Sequence, residues 1–265
     1  MGVLNITPDS FSDGGKNLDP EVAVQQAKKL LAAGADIIDV GGESTRPGAK
    51  QISLSLERSR VIPVIKELSR LDIPVSIDTQ KLEVMQEAID GGACVVSDDA
   101  GARPPEGASL VARTGVGICV MHMQGSPGDM QDNPRYSNVV EEVFDYLNKK
   151  VTALVQAGVG SGQIVVDPGF GFGKKLEHNV SLLTKLTKFR ELGCPILVGL
   201  SRKSMLGLIT EKQDPADRLG SSVAAAIFAV GQGADIVRVH DVNETRDALV
   251  AWQFFSEGTL SEQCK

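Results

Sequence analysis

Eight consecutive residues, Asp167-Pro168-Gly169-Phe170-Gly171-Phe172-Gly173-Lys174, combine a carboxylate, three alternating glycines, two aromatic rings and a cation. They follow a short apolar run, Gln163-Ile164-Val165-Val166. That order reads as a buried strand ending in an acid, then a loop. Glycine admits positive φ and lets a backbone approach a ligand closely. The stretch therefore suits a flat polar molecule, with or without phosphate. The plainer reading is a strand-to-helix turn. Two nucleotide motifs fail here. A P-loop needs four residues between its glycine and its Gly-Lys pair, whereas Gly169 and Gly173 enclose three, and Lys175 stands where Ser or Thr belongs. The glycines are spaced evenly by two, so the dinucleotide fingerprint is missed as well.

The same kind of ending recurs. Short apolar runs along the chain finish in Asn5, in Asp39 with Glu43, in Asp78, in Asp98 with Asp99, in His122, in Asp167, in Ser201-Arg202-Lys203, and in Arg238 with His240. Asp78 and Asp167 follow apolar strands and should sit deep. A buried acid is costly unless it accepts hydrogen bonds, so ligand N–H groups suit these two. Arg46, Arg202, Lys203, Arg238 and His240 can hold an anion, and the guanidinium fork suits phosphate. An acidic floor under a basic mouth fits a nitrogen heterocycle with a phosphate tail. Each residue has a plainer role open to it. Asp167 and Asp78 can cap the helices that follow. Arg238 can pair with Asp241 on the surface. His178 reads as a helix-start residue, and Met121, His122 and Met123 can be core and rim. Three His and four Cys show no zinc spacing. Magnesium held partly by phosphate oxygens stays open, because it needs few protein ligands.

Regular elements must carry these residues. Strands are predicted at Val3–Thr7, Asp36–Gly42, Pro74–Asp78, Ala93–Asp98, Gly117–His122, Gln163–Asp167, Pro195–Leu200 and Ala234–His240. Helices are predicted from Asp19 to Gly34, and over Ser53–Ser69, Lys81–Asp90, Gly107–Arg113, Asn138–Ala157, Asn179–Glu191, Ala216–Gly231 and Glu244–Phe255. Asp19-Pro20-Glu21 is a helix start, with Asp19 as cap and Pro20 at the first helical position. The words Gly34-Ala35-Asp36, Gly92-Ala93-Cys94 and Gly233-Ala234-Asp235 mark similar helix-to-strand turns. Several strands read as apolar throughout, as expected of strands covered on both faces. Eight β–α units predict an α/β fold, a closed (β/α)8 TIM barrel in one domain over residues 1–265. An open doubly wound sheet is the alternative, but it would be favoured by a nucleotide fingerprint in the first loop. In a barrel the site forms at the C-terminal strand ends, where the polar residues gather.

Bulk properties agree with an ordinary globular protein. The 265 residues are 42% hydrophobic and 23% charged, with a formal net charge of −7. That balance excludes a basic nucleic-acid footprint over the whole surface. Cys94, Cys119, Cys194 and Cys264 form no Cys-x-x-Cys pair, and Cys94 and Cys119 read as small buried hydrophobes. A reducing cytoplasm is expected, with no membrane span and no visible signal peptide.

The motifs LNITPDSFSDGG (4–15), DIIDVGGESTRPGA (36–49), VSIDT (75–79), MHMQG (121–125), DPGFGFGK (167–174), VGLSRKS (198–204) and RVHDV (238–242) carry a resemblance. In that order and over nearly the full length, the chain resembles the bacterial dihydropteroate synthase family, pterin-binding TIM barrels of folate biosynthesis. The resemblance implies a transferase that joins 6-hydroxymethyl-7,8-dihydropterin pyrophosphate to p-aminobenzoate, through a pterin carbocation, and releases pyrophosphate. It implies that Asp78, Asp167 and Lys203 contact the pterin, with Met121 and Phe172 near the ring and Ser97, Gly171, Gly199 and Ser201 lining the site. Asn5 is implied as the residue for magnesium and pyrophosphate. Arg238 and His240 are implied as the anion pocket, assisted by Thr45 and Arg46. Phe11, Pro47, Phe172, Lys203 and Ser204 are implied as the aminobenzoate pocket, which sulfonamides also occupy. Gly14-Gly15 and Gly41-Gly42 are plausible loop hinges, and Lys174 is a solvated charge at the rim.

One departure stands out. The family usually has Asn-Asp where this chain has Ser97-Asp98, and serine is shorter. Two other readings stay open: a non-catalytic pterin-binding paralogue, and a methyltransferase on the same barrel. A homodimer is implied by the resemblance. The late apolar segments Ala224–Val230 and Ala248–Phe255 are the surfaces that could form it.

Overall fold

The computed structural model describes residues 1–7, 19–44, 48–49, 51–98 and 106–258, and within them strands alternate with helices. The order is β1 Gly2–Asn5, α1 Pro20–Ala32, β2 Ile38–Gly41, α2 Leu54–Arg70, β3 Val75–Asp78, α3 Leu82–Asp90, β4 Val95–Asp98, α4 Glu106–Thr114 and β5 Gly117–Met121. Then come α5 Val139–Gln156, β6 Ile164–Asp167, α6 Leu176–Thr184, β7 Leu197–Val198, α7 Ser204–Thr210, α8 Leu219–Gly231, β8 Ile236–Val237 and α9 Val242–Glu257. Strands β1 to β6 pair in chain order and in parallel, and β7 pairs with β8. Single parallel bridges, Val166 with Ile196 and Gly2 with Val239, join the two sheets and close the ring. At the seams the Val166 N–H donates to the Pro195 carbonyl at 2.9 Å, and the Val3 N–H to the Val239 carbonyl at 3.0 Å. The fold is the expected (β/α)8 barrel.

Local chemistry explains where helices begin and end. Asp19, Ser53 and Asn138 cap α1, α2 and α5 with their side-chain oxygens. The three Gly-Ala words make one recurring stop. Gly34, Gly92 and Gly233 have φ of +98°, +105° and +97°. The alanine after each returns its N–H to a carbonyl five residues back: Ala35 to Leu30, Ala93 to Ala88, Ala234 to Ala229. That is the Schellman pattern, which needs a left-handed residue before it.

Strands β5 and β7 are apolar on both faces, as the sequence suggested of several, whereas Asp39 in β2 and Ser76 in β3 interrupt the apolar run. Parallel register keeps paired residues on one side of the sheet. Leu4, Val40, Ile77, Val96, Ile118 and Ile164 share one level across β1 to β6 and are buried outward against the helices. The intervening level, Asn5, Gly41, Asp78, Ser97 and Cys119, faces the barrel interior. Hydrophobic burial thus lies mainly between strands and helices, and the lumen is lined by small and polar groups together with Met121.

Other elements differ from expectation in detail. The helix predicted over 179–191 begins at Leu176 and is cut after Thr184, continuing as a 3-10 turn over Leu186–Leu192. The tighter winding puts Leu186 and Phe189, three apart, on one buried face. Helix α7 was not predicted, because seven residues are too few to show a periodic stripe. A 3-10 turn over Pro215–Arg218 delays α8 to Leu219. Cys94 is exposed rather than buried, while Cys119 and Cys194 are buried.

The two faces of β3 should respond oppositely to truncation. Ile77 is wholly buried outward, so Ile77→Ala should lower unfolding free energy by about 2–5 kcal/mol in urea titration. Ser76 Oγ has no hydrogen-bond partner among the described residues. Ser76→Ala should therefore be neutral or stabilising, within about 1 kcal/mol.

Candidate functional site

The barrel closure brings β8 beside β1 and β2, and this sets the centre of the site. Arg238, just past β8, sends its side chain into the lumen. Its Nε donates to Asp39 Oδ2 at 2.5 Å and its Nη2 to Asp78 Oδ2 at 3.0 Å. Asp39 is fully buried, and its other oxygen has no partner among the described residues. The alternative pairing of Arg238 with Asp241 does not occur, since Asp241 is taken by Arg202.

Opposite this triad, Met121 and Asp167 are register partners on β5 and β6. Asp167 is buried, and its Oδ1 accepts the Gly169 N–H at 2.7 Å. Burial raises its pKa, and the charges of Lys203, Lys174 and Arg238 and the Gly169 bond pull it back. Asp78 and Ser97 are half-buried on the same inward level, so the two acids share one volume.

The glycine loop then folds back over β6. Gly169, Gly171 and Gly173 all have positive φ, +73°, +80° and +60°. A Cβ on Gly171 would lie 3.2 Å from Lys203 Cδ, so its absence admits the lysine. Lys203 Nζ donates to the Phe170 carbonyl and sits 4.2 Å from the centre of the Phe172 ring. Lys203 itself follows a strained residue. Arg202 has φ of +60°, which costs a non-glycine residue of order 1–3 kcal/mol. Its N–H donates to Ser222 Oγ at 2.9 Å, its carbonyl accepts from buried Arg218, and its side chain pairs with Asp241. Ser201 Oγ accepts the His240 N–H at 3.2 Å and lies 3.1 Å from His240 Nδ1. Gly199 sits beneath the Arg238 Cβ, at 4.0 Å from where its own would be. Ser204 is exposed at the start of α7.

Lys174 is not a rim charge. It is 3% exposed, and its Nζ donates to the carbonyls of Gly169, Phe172 and His122 and to His122 Nδ1. Burial lowers its pKa well below the usual lysine value. Four acceptors suit the three-donor ammonium better than the amine. The same burial, reinforced by Lys174, drops His122 to about 3, so the imidazole is neutral and can accept.

A second network lies beside Asp78. Glu57 of α2 is fully buried and accepts the Thr79 hydroxyl at 2.6 Å and Lys81 Nζ at 2.5 Å. Lys81 also bonds Glu43, and although burial lowers its pKa, the two glutamates raise it overall. Glu43, Glu57, Asp78, Thr79, Ser126 and Gly128 line a cavity of about 320 Å³ at the mouth. Sequence reasoning missed this network. Its signal was Glu57 standing in the helical stripe Glu57, Val61, Val64, Ile65, Leu68, where an apolar residue belongs.

The structure therefore gathers Asn5, Asp78, Ser97, Met121, Asp167, Gly171, Phe172, Gly199, Ser201, Lys203, Arg238 and His240 at the C-terminal rim. Phe11, Thr45, Arg46, Pro47 and the Gly14-Gly15 pair lie outside the described residues. For Gly42, the missing side chain is explained by packing, since a Cβ would come within 2.6 Å of Val61 Cγ1. Among the described residues no three His, Cys, Asp or Glu side chains are grouped as metal ligands. Gly41 does leave a cradle: its Cβ would lie 3.4 Å from Asn5 Oδ1 and 3.9 Å from Asp78 Oδ2. A hard cation that brings most of its own oxygen ligands fits that donor set.

Comparison with known proteins agrees with this geometry. The model of the pterin binding enzyme family matches residues 1–240. The dihydropteroate synthase of Escherichia coli K12 is 47% identical over 250 residues, which are 94% of this chain and 88% of that one. The Yersinia pestis dihydropteroate synthase, solved with a sulfonamide drug complex, superposes with a TM-score of 0.92 at 42% identity, covering 97% of this chain and 94% of the other. The Xanthomonas albilineans enzyme in complex with 7,8-dihydropteroate gives a TM-score of 0.87 at 40% identity, over 98% and 94% of the two chains. Motif order, barrel and inward-facing residues lead to one placement: the chain belongs to the dihydropteroate synthase family of pterin-binding enzymes.

Proposed function

We propose that this chain condenses 6-hydroxymethyl-7,8-dihydropterin pyrophosphate with p-aminobenzoate, giving 7,8-dihydropteroate and pyrophosphate. The observation that carries the reading is the shared volume at the rim, where Asp78 and Asp167 face the Lys203–Phe172 pair and Arg238. A relative bound to 7,8-dihydropteroate supports it.

The pterin ring lies in the lumen, with Met121 against it. Asp167 and Asp78 accept its N–H groups, and Lys203 donates to its acceptor atoms. Ser97 is shorter than the family asparagine and reaches the ring edge through water. The bond from the 6-methylene carbon to the pyrophosphate oxygen breaks, and the electron pair leaves with the oxygen. Positive charge develops on that carbon within reach of the two carboxylates. Negative charge develops on the departing oxygens, toward Arg238, His240 and the Ser201 hydroxyl. The aminobenzoate nitrogen attacks the carbon and loses a proton. The amine is nucleophilic unaided, so the chain supplies orientation rather than a strong base. Phe172, Lys203 and Ser204, with Phe11 and Pro47, form the aminobenzoate pocket, and sulfonamides compete there. Thr45 and Arg46 assist the anion side. Asn5 Oδ1 would hold a magnesium ion, which when bound neutralises charge on the pyrophosphate.

We also infer a cytoplasmic homodimer. No helix among the described residues is long and apolar enough to cross a membrane. Leu208 and Ile209 of α7, Phe228 of α8, and Phe254 and Phe255 of α9 are exposed, Phe255 by 80%. So many large apolar side chains on consecutive helices suit a self-complementary interface.

Mixing the purified chain with both substrates and magnesium should release pyrophosphate in step with dihydropteroate. Pterin binding without that release would leave a binding paralogue, and methyl transfer from methyltetrahydrofolate would indicate the other reaction. Lys203→Ala should weaken calorimetric affinity for pterin and for a sulfonamide by about tenfold to a hundredfold each, the loss of one charged hydrogen bond. Unchanged affinity for both would remove Lys203 from the site. Sedimentation at micromolar concentration should give twice the chain mass, and Phe255→Asp should shift it toward the monomer.

A further inference from the structure

We propose that Lys174 is a positioning residue of the pterin site: its Nζ gathers the carbonyls that the glycine loop turns inward, and so holds Asp167 at one end of the loop and the Phe172 ring at the other. This rests on the pterin reading of the rim.

The loop lies directly on the backbone that follows β5. A Cβ on Gly169 would overlap the His122 carbonyl oxygen, and one on Gly173 the Gln124 carbonyl oxygen. A chain turning this tightly at positive φ points its carbonyls in different directions. Each has a donor. The Phe170 carbonyl goes to Lys203, the Gly171 carbonyl to Gln131 Nε2 at 2.5 Å, and the Gly173 carbonyl to the Tyr136 hydroxyl at 2.8 Å. The Gly169 and Phe172 carbonyls point inward, and both end on Lys174 Nζ, at 2.8 and 2.9 Å. The same nitrogen takes the His122 carbonyl at 3.2 Å and His122 Nδ1 at 2.9 Å, which ties the loop to β5.

None of these four partners is a carboxylate. Lys174 is therefore not one half of a buried ion pair. It takes the place of water beneath the loop, as the donor to the Phe172 and His122 carbonyls and a second donor to that of Gly169. Its reach into the site is short. Gly169, whose carbonyl it holds, donates its N–H to Asp167 Oδ1 at 2.7 Å. Phe172, whose carbonyl it also holds, closes the turn with its N–H on the Gly169 carbonyl at 3.1 Å and puts its ring under Lys203. None of the four contacts involves Asn5, Arg238 or His240, at the pyrophosphate end.

The consequence is a split that general loss of folding would not give. In Lys174→Met, KM for the pterin pyrophosphate and for p-aminobenzoate should each rise about tenfold, while inhibition by added inorganic pyrophosphate stays within about twofold of the parent. Lys174→Gln keeps two donors and should recover part of the loss. His122→Leu removes one acceptor side chain only, and should raise the same two constants by about threefold if Lys174→Met does not fold. A variant population that is merely part-unfolded shows reduced kcat with both KM values unchanged, and that result overturns the proposal. Equal weakening of pyrophosphate inhibition overturns it as well. If the parent chain releases no pyrophosphate, the synthase reading has failed. Lys174 is then judged by calorimetric affinity for 6-hydroxymethyl-7,8-dihydropterin in parent and Lys174→Met, and equal affinity refutes it.

Discussion

The barrel depends on keeping charge satisfied inside its lumen. Arg238 spans two strands' carboxylates, Asp39 and Asp78, and it does so from the strand that closes the ring. An unpaired buried carboxylate costs several kcal/mol, so the triad is a condition for having acids there at all. It also ties closure to chemistry. β8 is only two residues long and meets β1 through one bridge, so the guanidinium adds a side-chain link where backbone pairing is sparse.

Around that centre, two lysines divide the work of one loop. Lys203 approaches from β7, over Gly171 and onto the Phe170 carbonyl, and faces the lumen. Lys174 belongs to the loop and faces away from it. Their surroundings differ in kind: aromatic ring and lumen for one, carbonyl oxygens and a neutral imidazole for the other. A cation on each side keeps a glycine-rich backbone rigid without filling it with side chains.

Much of this was legible in the residues. Strand ends showed as acids and bases closing apolar runs, and helix ends as Gly-Ala words, because each is a local signal. Lys174 was misread because charge suggests solvent, and only the fold shows that the loop's carbonyls turn inward around it. Glu57 and Lys81 were missed because their partners come from two different β–α units. Which residues face the lumen was not legible for a related reason: alternation along a four-residue strand is too short to read, and register supplies what length does not. The bonds of Arg238 to Asp39 and Asp78 were not legible, because they are made across about 160 to 200 residues of chain.

The placement of apolar burial has a consequence for how such a chain can change. Leu4, Val40, Ile77 and Ile118 hold the helices on from outside. Asp78, Ser97, Met121 and Asp167 face inward and contribute little to that layer. Durability and recognition are thus written on opposite sides of the same strands. Drift on the outer side alters how much heat the molecule survives, and drift on the inner side, such as serine at position 97, alters the groups that line the lumen.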